Sequence, residues 1–288
     1  MEKYYRFAGL ELCVSADEKW MYTDDRSLAP FRVESVTDPH IFTFDFVAAL
    51  TPPSGELAAT MDNFVEYRDV DTFTRYIGAV NGDWTGAYIR ACHKDKVHTV
   101  QLKRGTYPAG LGSKAVLNAI QAEHLIARNQ GFVFHCSYID RGGKAILFTA
   151  PSETGKSTQA DLWHQYRNAE IINGDRAAVR LVDGTLMAEG IPFAGSSVYC
   201  KNRSLPIEAI VYLAQAPQTT IRKLRGVEAF RRVWEGVSVN TWDKEDVSCV
   251  MDTVTQLAAR IPVYYMPCTP DETAVETLEQ TLRKWDNT

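Results

Sequence analysis

The chain has 288 residues, enough for one large domain or two ordinary ones, and its 45% hydrophobic and 11% aromatic content supports a full core. A net charge of −5 with no basic run argues against nucleic acid as the main partner. Residues 1–7 have no apolar signal-like stretch, no segment approaches membrane length, and six scattered cysteines lack metal-ligand spacing, so reduced thiols, a cytoplasmic location and no membrane partner are expected.

The first hundred residues read as mostly β. Tyr4 to Val14, Ile41 to Val47, Trp84 to Ala91 and Val97 to Lys103 are rich in aromatic and β-branched residues, with a turn at His93 to Lys96 closing the last two into a hairpin. A breaker cluster from Gly105 to Gly112 marks the expected boundary between a β-rich domain (1–108), for partner or substrate recognition, and a second domain (109–288). A helix is predicted from Ser113, as N-cap, to Gly131 past its end, with Leu117, Ile120, His124 and Ala127 on one face.

A hairpin then pairs Val133–Ile139 with Ala145–Ala150. A short strand, Ala169–Asn173, ends at Gly174 and Asp175, and a second hairpin, Ala177–Val182 with Thr185–Ala188, turns on Asp183 and Gly184. Gly190 to Ser197 is a loop and Ile207–Ala214 a buried strand. Two amphipathic helices follow, the clearer placing Val247, Val250, Met251, Val254 and Leu257 on one face. After a strand at Ile261–Met266, Thr269 to Glu272 opens a final helix with a capping box and Pro270 at its first position, burying Val275, Leu278 and Leu282.

The most informative segment is 145–158. An apolar strand (Ile146, Leu147, Phe148) runs into Ala150, Pro151, Ser152, Glu153, Thr154, Gly155, Lys156, Ser157 and Thr158, close to the pattern G-x-x-x-x-G-K-[ST]. In that pattern backbone N–H groups wrap a polyphosphate, the lysine neutralises its β and γ phosphates, and the serine hydroxyl ligates Mg²⁺. Residues 152–158 are therefore the expected nucleotide-binding segment, with ATP and Mg²⁺ as cofactors. Ala150 stands where the pattern asks for Gly. A metal-holding carboxylate is expected at a neighbouring strand end, and Asp175, after the apolar Ile171 and Ile172, fits that place. Its competing role is to open a turn. His135 either touches phosphate or substrate or is a satisfied core residue. Arg176 and Arg180 either reach phosphate or lie on a solvated face, and Ser196 and Ser197 sit in a loop that either approaches substrate or is plain surface.

His135, Cys136 and Ser137, Gly142 and Gly143 in the turn, the phosphate loop, the acidic strand end, and Gly190 to Gly195 together resemble the HPr kinase/phosphorylase family, whose nucleotide domain is of the phosphoenolpyruvate carboxykinase type. The resemblance covers roughly 113–282. It implies an α/β fold: a P-loop nucleotide-binding domain with inserted hairpins, preceded by a mostly β N-terminal domain. It also implies Lys156, Asp175 and His135 as catalytic residues, and Ser157 and Asp175 at the metal. The family carries an Asp–Asp pair where this chain has Gly174, Asp175 and Arg176, so either Gly174 replaces the first acid or Arg176 the second. Glu153 occupies a position where the family prefers Gly, and a carboxylate beside a triphosphate costs about a kcal/mol or more.

The expected function is ATP/Mg-dependent transfer of the γ-phosphate to a hydroxyl of a peptide, protein or small metabolite. The alternative is a nucleotide-binding or degenerate accessory protein without phosphoryl transfer. A homo-oligomer is left open.

Overall fold

Alternating apolar residues dominate the first part of the chain, and a computed structural model, describing residues 1–20, 24–80, 83–92, 94–106 and 111–286, shows the sheet they build. The strand expected from Tyr4 to Val14 is two strands, β1 (Glu2–Phe7) and β2 (Leu10–Ala16), turning at Ala8 and Gly9, which both have positive φ (47° and 66°). There follow β3 (Arg32–Val33), β4 (His40–Val47), β5 (Glu56–Met61), β6 (Phe64–Arg68), β7 (Thr72–Val80), β8 (Asp83–Cys92) and β9 (Val97–Lys103). They make a nine-stranded sheet in the order β3-β1-β2-β4-β9-β8-β7-β6-β5, with β4 parallel to both β2 and β9. Tyr5, Leu12, Val14 and Val100 are fully buried beneath it. Strands β5 to β7 fall where no strand was expected; β5 has no fully buried residue, so its alternation carries little signal. His93 and residues 107–110 of the expected turn and breaker cluster lie outside the described residues.

The helix expected over 113–130 is two. α1 (Ser113–Ile120) is capped by Gly112, and Gln121, in the left-handed region at φ 52°, separates it from α2 (Ala122–Ala127). The chain divides at this break into two compact units, 1–121 and 122–288.

The second unit contains β10 (Gly131–His135), β11 (Ser137–Arg141), β12 (Lys144–Thr149), α3 (Lys156–Arg167), β13 (Glu170–Asn173), β14 (Arg176–Val182) and β15 (Thr185–Glu189). It continues through β16 (Ser204–Gln215), β17 (Arg222–Leu224), α4 (Gly226–Trp234), β18 (Val237–Ser238), α5 (Lys244–Arg260), β19 (Val263–Cys268) and α6 (Glu272–Asp286). A ten-stranded mixed sheet runs β13-β11-β12-β16-β15-β14-β10-β18, with β19 beside β16 and β17 beside β19. The long β16 joins its halves: Ser204 to Pro206 pair antiparallel with β15, and the rest lies parallel between β12 and β19. The expected strand 133–139 is therefore divided at Cys136. β10 pairs with β14 and β18, whereas β11 pairs with β12 and β13, so His135 lies outside the β11–β12 hairpin.

Successive residues of β12 serve opposite faces, as a strand buried on both sides requires. Ile146 and Phe148 pack in a core with Trp163 of α3 and Val275 and Leu278 of α6. Leu147 packs in a second core with Val233 of α4 and Val254 and Leu257 of α5. On α5 the expected apolar face is narrower than read: Met251 is 45% exposed, and Asp246 and Thr253 are buried. On α6 the cap is one residue pair later than expected. Asp271 accepts the Thr273 N–H at 3.0 Å, and Pro270 precedes the cap. Val275, Leu278 and Leu282 are buried as expected. Among the described residues no helix is long and apolar enough to cross a membrane.

Candidate active site

The three parallel strands β12, β16 and β19 end on the same side of the sheet, the side where open α/β sheets place their ligands. Residues 150–155 leave β12 there and turn into α3. Two of them hold left-handed backbone, Glu153 at φ 63° and Gly155 at φ 115°. Gly155 is the N-cap of α3 and no side chain caps it, so the first-turn N–H groups face outward with the positive end of the helix dipole.

Lys156 is largely buried, and its ammonium curls back over the loop to donate to the Ala150 carbonyl at 3.1 Å and the Pro151 carbonyl at 3.2 Å. Burial lowers its pKa, and the charge of Asp175 opposes that shift. Ser157 is exposed and donates to the Gly174 carbonyl at 3.4 Å, where the buried Ser137 hydroxyl also donates at 3.1 Å. The start of α3 thus meets the end of β13.

The turn carrying Asp175 is made by Asn173. This fully buried side chain accepts the N–H groups of Asp175 and Arg176, both at 2.9 Å, and donates to the carbonyls of Ile191 at 3.1 Å and Phe193 at 3.2 Å. Asn173 therefore fixes both the acidic turn and the loop that covers it. Sequence reasoning passed over it, although an Asn two residues before an Asp is a recognisable turn signal. That loop lies close: a Cβ on Gly195, at φ 53°, would sit 2.9 Å from the Asp175 carboxylate carbon.

Asp175 Oδ1 is 3.6 Å from His135 Nε2, and Oδ2 accepts from Arg176 Nε at 3.1 Å. The His135 imidazole, with Arg176 adding its charge, holds the carboxyl below the usual carboxylate range despite partial burial. The Arg176 guanidinium also reaches Glu123 of α2 at 3.5 Å. His135 is fixed through its backbone, which donates to Gly236 at 2.8 Å and accepts from the Thr149 hydroxyl at 3.0 Å. Although His135 belongs to another strand pair than expected, it still arrives beside the end of β12.

Two cavities flank the loop. One of about 330 Å³ is bordered by Ser157, Gly174, Asp175, Ser196, Ser197 and Tyr199. The other, of about 580 Å³, is bordered by Thr154, Gly155, Gln159, Gln215, Cys268 and Thr269. Lys156, Ser157, Asp175, His135, Ser196 and Ser197 therefore converge. Arg180 does not: it is buried, donating to the Asn129 carbonyl at 3.1 Å and pairing with Glu189 at 2.9 Å, and so lies on no solvated face.

A second polar cluster joins His124, Asp243 and Asp246, whose ligand-capable atoms lie within 4.8 Å of one another. Arg128 donates to Asp246 at 2.9 Å and reaches Asp243 at 3.4 Å, while Asn240 and His124 take the other Asp246 oxygen at 3.0 and 2.6 Å. These acids already have cationic and hydrogen-bonding partners, so the cluster reads as a structural network.

No protein-family model matches the chain, and no curated protein sequence matches it. Among solved structures, the Hpr(Ser) kinase/phosphatase from Coxiella burnetii aligns over 54% of this chain and 99% of its own, at 12% identity and a TM-score of 0.35.

Proposed function

We propose that the second unit binds a nucleoside triphosphate with Mg²⁺ at residues 152–158 and transfers its γ-phosphoryl group to a hydroxyl of a peptide, protein or small metabolite. The observation that carries this reading is the convergence of an uncapped helix N-terminus, the Lys156 ammonium, the Ser157 hydroxyl and the Asp175 carboxylate. The donors fit a polyphosphate. The loop N–H groups and Lys156 are cationic or dipolar, and the Lys156 hydrogen bonds to Ala150 and Pro151 can be exchanged for phosphate oxygens. The 580 Å³ cavity beyond Thr154 and Gln159 suits the nucleoside part.

Ser157 and Asp175 would hold the magnesium, a thin set of one hydroxyl and one carboxylate. The metal supplies charge neutralisation on the phosphate oxygens. Phosphoryl transfer asks the protein mainly for position and charge. Lys156 offsets charge on the transferring group. An acceptor hydroxyl in the cavity beside Ser196 and Ser197 loses its proton to Asp175 Oδ1, which His135 orients and keeps ionised. The N-terminal unit is proposed to recognise the partner or substrate.

A second reading, a nucleotide-binding or degenerate accessory protein without transfer, draws on one feature: Arg176 already engages one oxygen of Asp175, the carboxylate that would hold the metal. Titration calorimetry with ATP, with and without Mg²⁺, on the wild type and Lys156→Ala tests binding. Micromolar Mg²⁺-dependent binding lost in the variant supports a nucleotide site, and no wild-type binding overturns it and leaves a degenerate accessory role. Incubation with γ-labelled ATP and hydroxyl-bearing peptides or lysate separates them, since labelled acceptor supports transfer and its absence supports the accessory role.

A further inference from the structure

We infer that Gln159 reads the base of the bound nucleotide, its carboxamide oxygen accepting a hydrogen bond from the exocyclic amino group of an adenine. This inference rests on the nucleotide reading and adds to it the residue that selects the base. The cavity of about 580 Å³ beside the phosphate loop is bordered by Thr154 in the loop, Thr158 and Gln159 in α3, and Leu213, Gln215 and Cys268 at the ends of β16 and β19. Among the described residues Glu153 is the one charged residue on this border. Burial pushes the Cys268 thiol pKa up to about 11, so that part of the wall carries no charge at neutral pH. A mostly neutral cavity next to a phosphate loop suits a base rather than further phosphate.

Gln159 is 2% exposed, in the stretch of α3 that also buries Ala160 and Trp163. Its Nε2 donates to Cys268 Sγ at 3.4 Å, and both residues border the cavity, so the carboxamide lies in the wall between α3 and β19. Its Oε1 is buried and has no hydrogen-bond partner among the described residues. A leucine here would leave no polar group to satisfy, whereas a buried acceptor without a donor opposes folding. A ligand that brings the missing donor accounts for such a group. Sulfur is a weak acceptor, so the carboxamide is held loosely enough to turn Oε1 toward that donor.

Other polar groups along the border are already engaged. The Gln215 carboxamide donates to the Glu153 carbonyl at 3.4 Å, the Ala216 N–H to the Cys268 carbonyl at 3.2 Å, and the Thr269 N–H to the Thr219 hydroxyl at 3.1 Å. What the wall lacks is a donor, and that lack chooses among purines. Adenine presents an amino group on its six-membered ring. Hypoxanthine presents a carbonyl oxygen there, which would meet Oε1 acceptor to acceptor, and unsubstituted purine presents neither. A site built to hydrogen-bond a ligand N–H rejects the analogue lacking it far more strongly than an apolar pocket rejects a missing methylene.

The test is calorimetric titration of the full chain, with Mg²⁺, against ATP, inosine triphosphate, purine riboside triphosphate and inorganic tripolyphosphate. Wild type, Gln159→Leu and Lys156→Ala are compared. The wild type is expected to bind ATP about tenfold or more tightly than either analogue. Gln159→Leu is expected to bind ATP about tenfold more weakly, level with purine riboside triphosphate, and tripolyphosphate as the wild type does. Equal tripolyphosphate affinity shows that the loop and α3 are intact, and thermal melts confirm that each variant is folded. Should Gln159→Leu unfold, the wild-type ranking of the three nucleotides decides. Either analogue binding the wild type as tightly as ATP, with all three lost in Lys156→Ala, overturns the role of Gln159 and leaves the nucleotide site standing. An ATP preference that survives in folded Gln159→Leu overturns that role too. No nucleotide bound by the wild type overturns the nucleotide reading, and the base reading with it.

Discussion

A Cβ on Gly174 would stand 2.3 Å from the Ser197 hydroxyl oxygen and 2.8 Å from Ser197 Cβ, so the covering loop holds the position before Asp175 without a side chain. Arg176, on the other side of Asp175, has a side chain that already points into the site and is 37% exposed. Position 174 is therefore closed to a side chain and position 176 is open to one. Gly174→Asp is expected to cost about 1–3 kcal/mol through overpacking. Arg176→Asn is expected to cost less than about 1 kcal/mol, since it loses only partly exposed ion pairs and adds no charge beside Asp175. Urea midpoints of the two variants check this; equal midpoints would refute the steric argument.

Arg176 competes for the carboxylate the nucleotide reading requires. Removing it in Arg176→Ala frees Asp175 Oδ2, which Arg176 Nε now engages at 3.1 Å. Mg²⁺-dependent ATP affinity is expected to rise severalfold. The Asp175 carboxyl pKa is expected to rise, because a cation that favours its ionised form is gone. Carbon NMR of the aspartate carboxyls against pH measures the second effect, and calorimetry the first. A lower Asp175 pKa in the variant would contradict the assigned cause.

The strand, turn and helix of residues 145–167 were legible because they are local: one strand, one turn and one helix start contain Lys156, Ser157 and the N–H groups. The position of Asp175 was legible for a similar reason, as the acid in the turn after a short apolar strand. What escaped was set by neighbours distant in sequence. Cys136 moves His135 from the β12 hairpin to the β14 pair, a change decided by which strands β10 and β11 meet. Asn173 matters through the carbonyls of Ile191 and Phe193, about twenty residues on. The break at Gln121 is a single left-handed residue inside an otherwise helical pattern. The exposed β5 has too few buried residues for its alternation to register.

Glu153 holds a backbone conformation, φ 63°, that glycine adopts without a steric penalty. The residue also borders the cavity beside Thr154 and Gly155. Glu153→Gly removes both the strain and a negative charge beside the proposed phosphate site. ATP affinity is expected to rise threefold to tenfold with thermal stability unchanged or slightly higher, the relief of strain being offset by the entropy of glycine in the unfolded chain. Weaker ATP binding in this variant would point to a productive role for the carboxylate.

Asp246, fully buried, accepts from His124, Asn240 and Arg128. Asp246→Ala leaves the buried His124 and the Arg128 guanidinium without this acceptor, and is expected to cost about 3–5 kcal/mol. Chemical denaturation measures the loss. Chelators are expected to leave the wild-type midpoint unchanged, since the network needs no cation. A midpoint that falls on chelation would show that it does.

Glu11 provides a pH-dependent test of the N-terminal unit. One oxygen accepts from Arg6 Nη2 at 2.7 Å, and the other from the backbone N–H groups of Thr37 at 2.8 Å and Asp38 at 2.9 Å. These contacts, the Asp38 and Thr37 N–H groups first, lower its carboxyl pKa to about 2. An unfolded glutamate titrates near about 4.3. With the folded value depressed, the unfolded state takes up a proton first as pH falls. The contribution of Glu11 is therefore fully present above about pH 4.3 and is lost as pH falls toward about 2. Glu11→Gln has no such titration. The urea-midpoint difference between wild type and Glu11→Gln is expected to be constant from pH 7 to 5 and to shrink from pH 4.5 to 3. A difference that stays constant to pH 3 would show that Glu11 titrates alike in both states, and that its hydrogen bonds to Thr37 and Asp38 do not favour the ionised carboxylate.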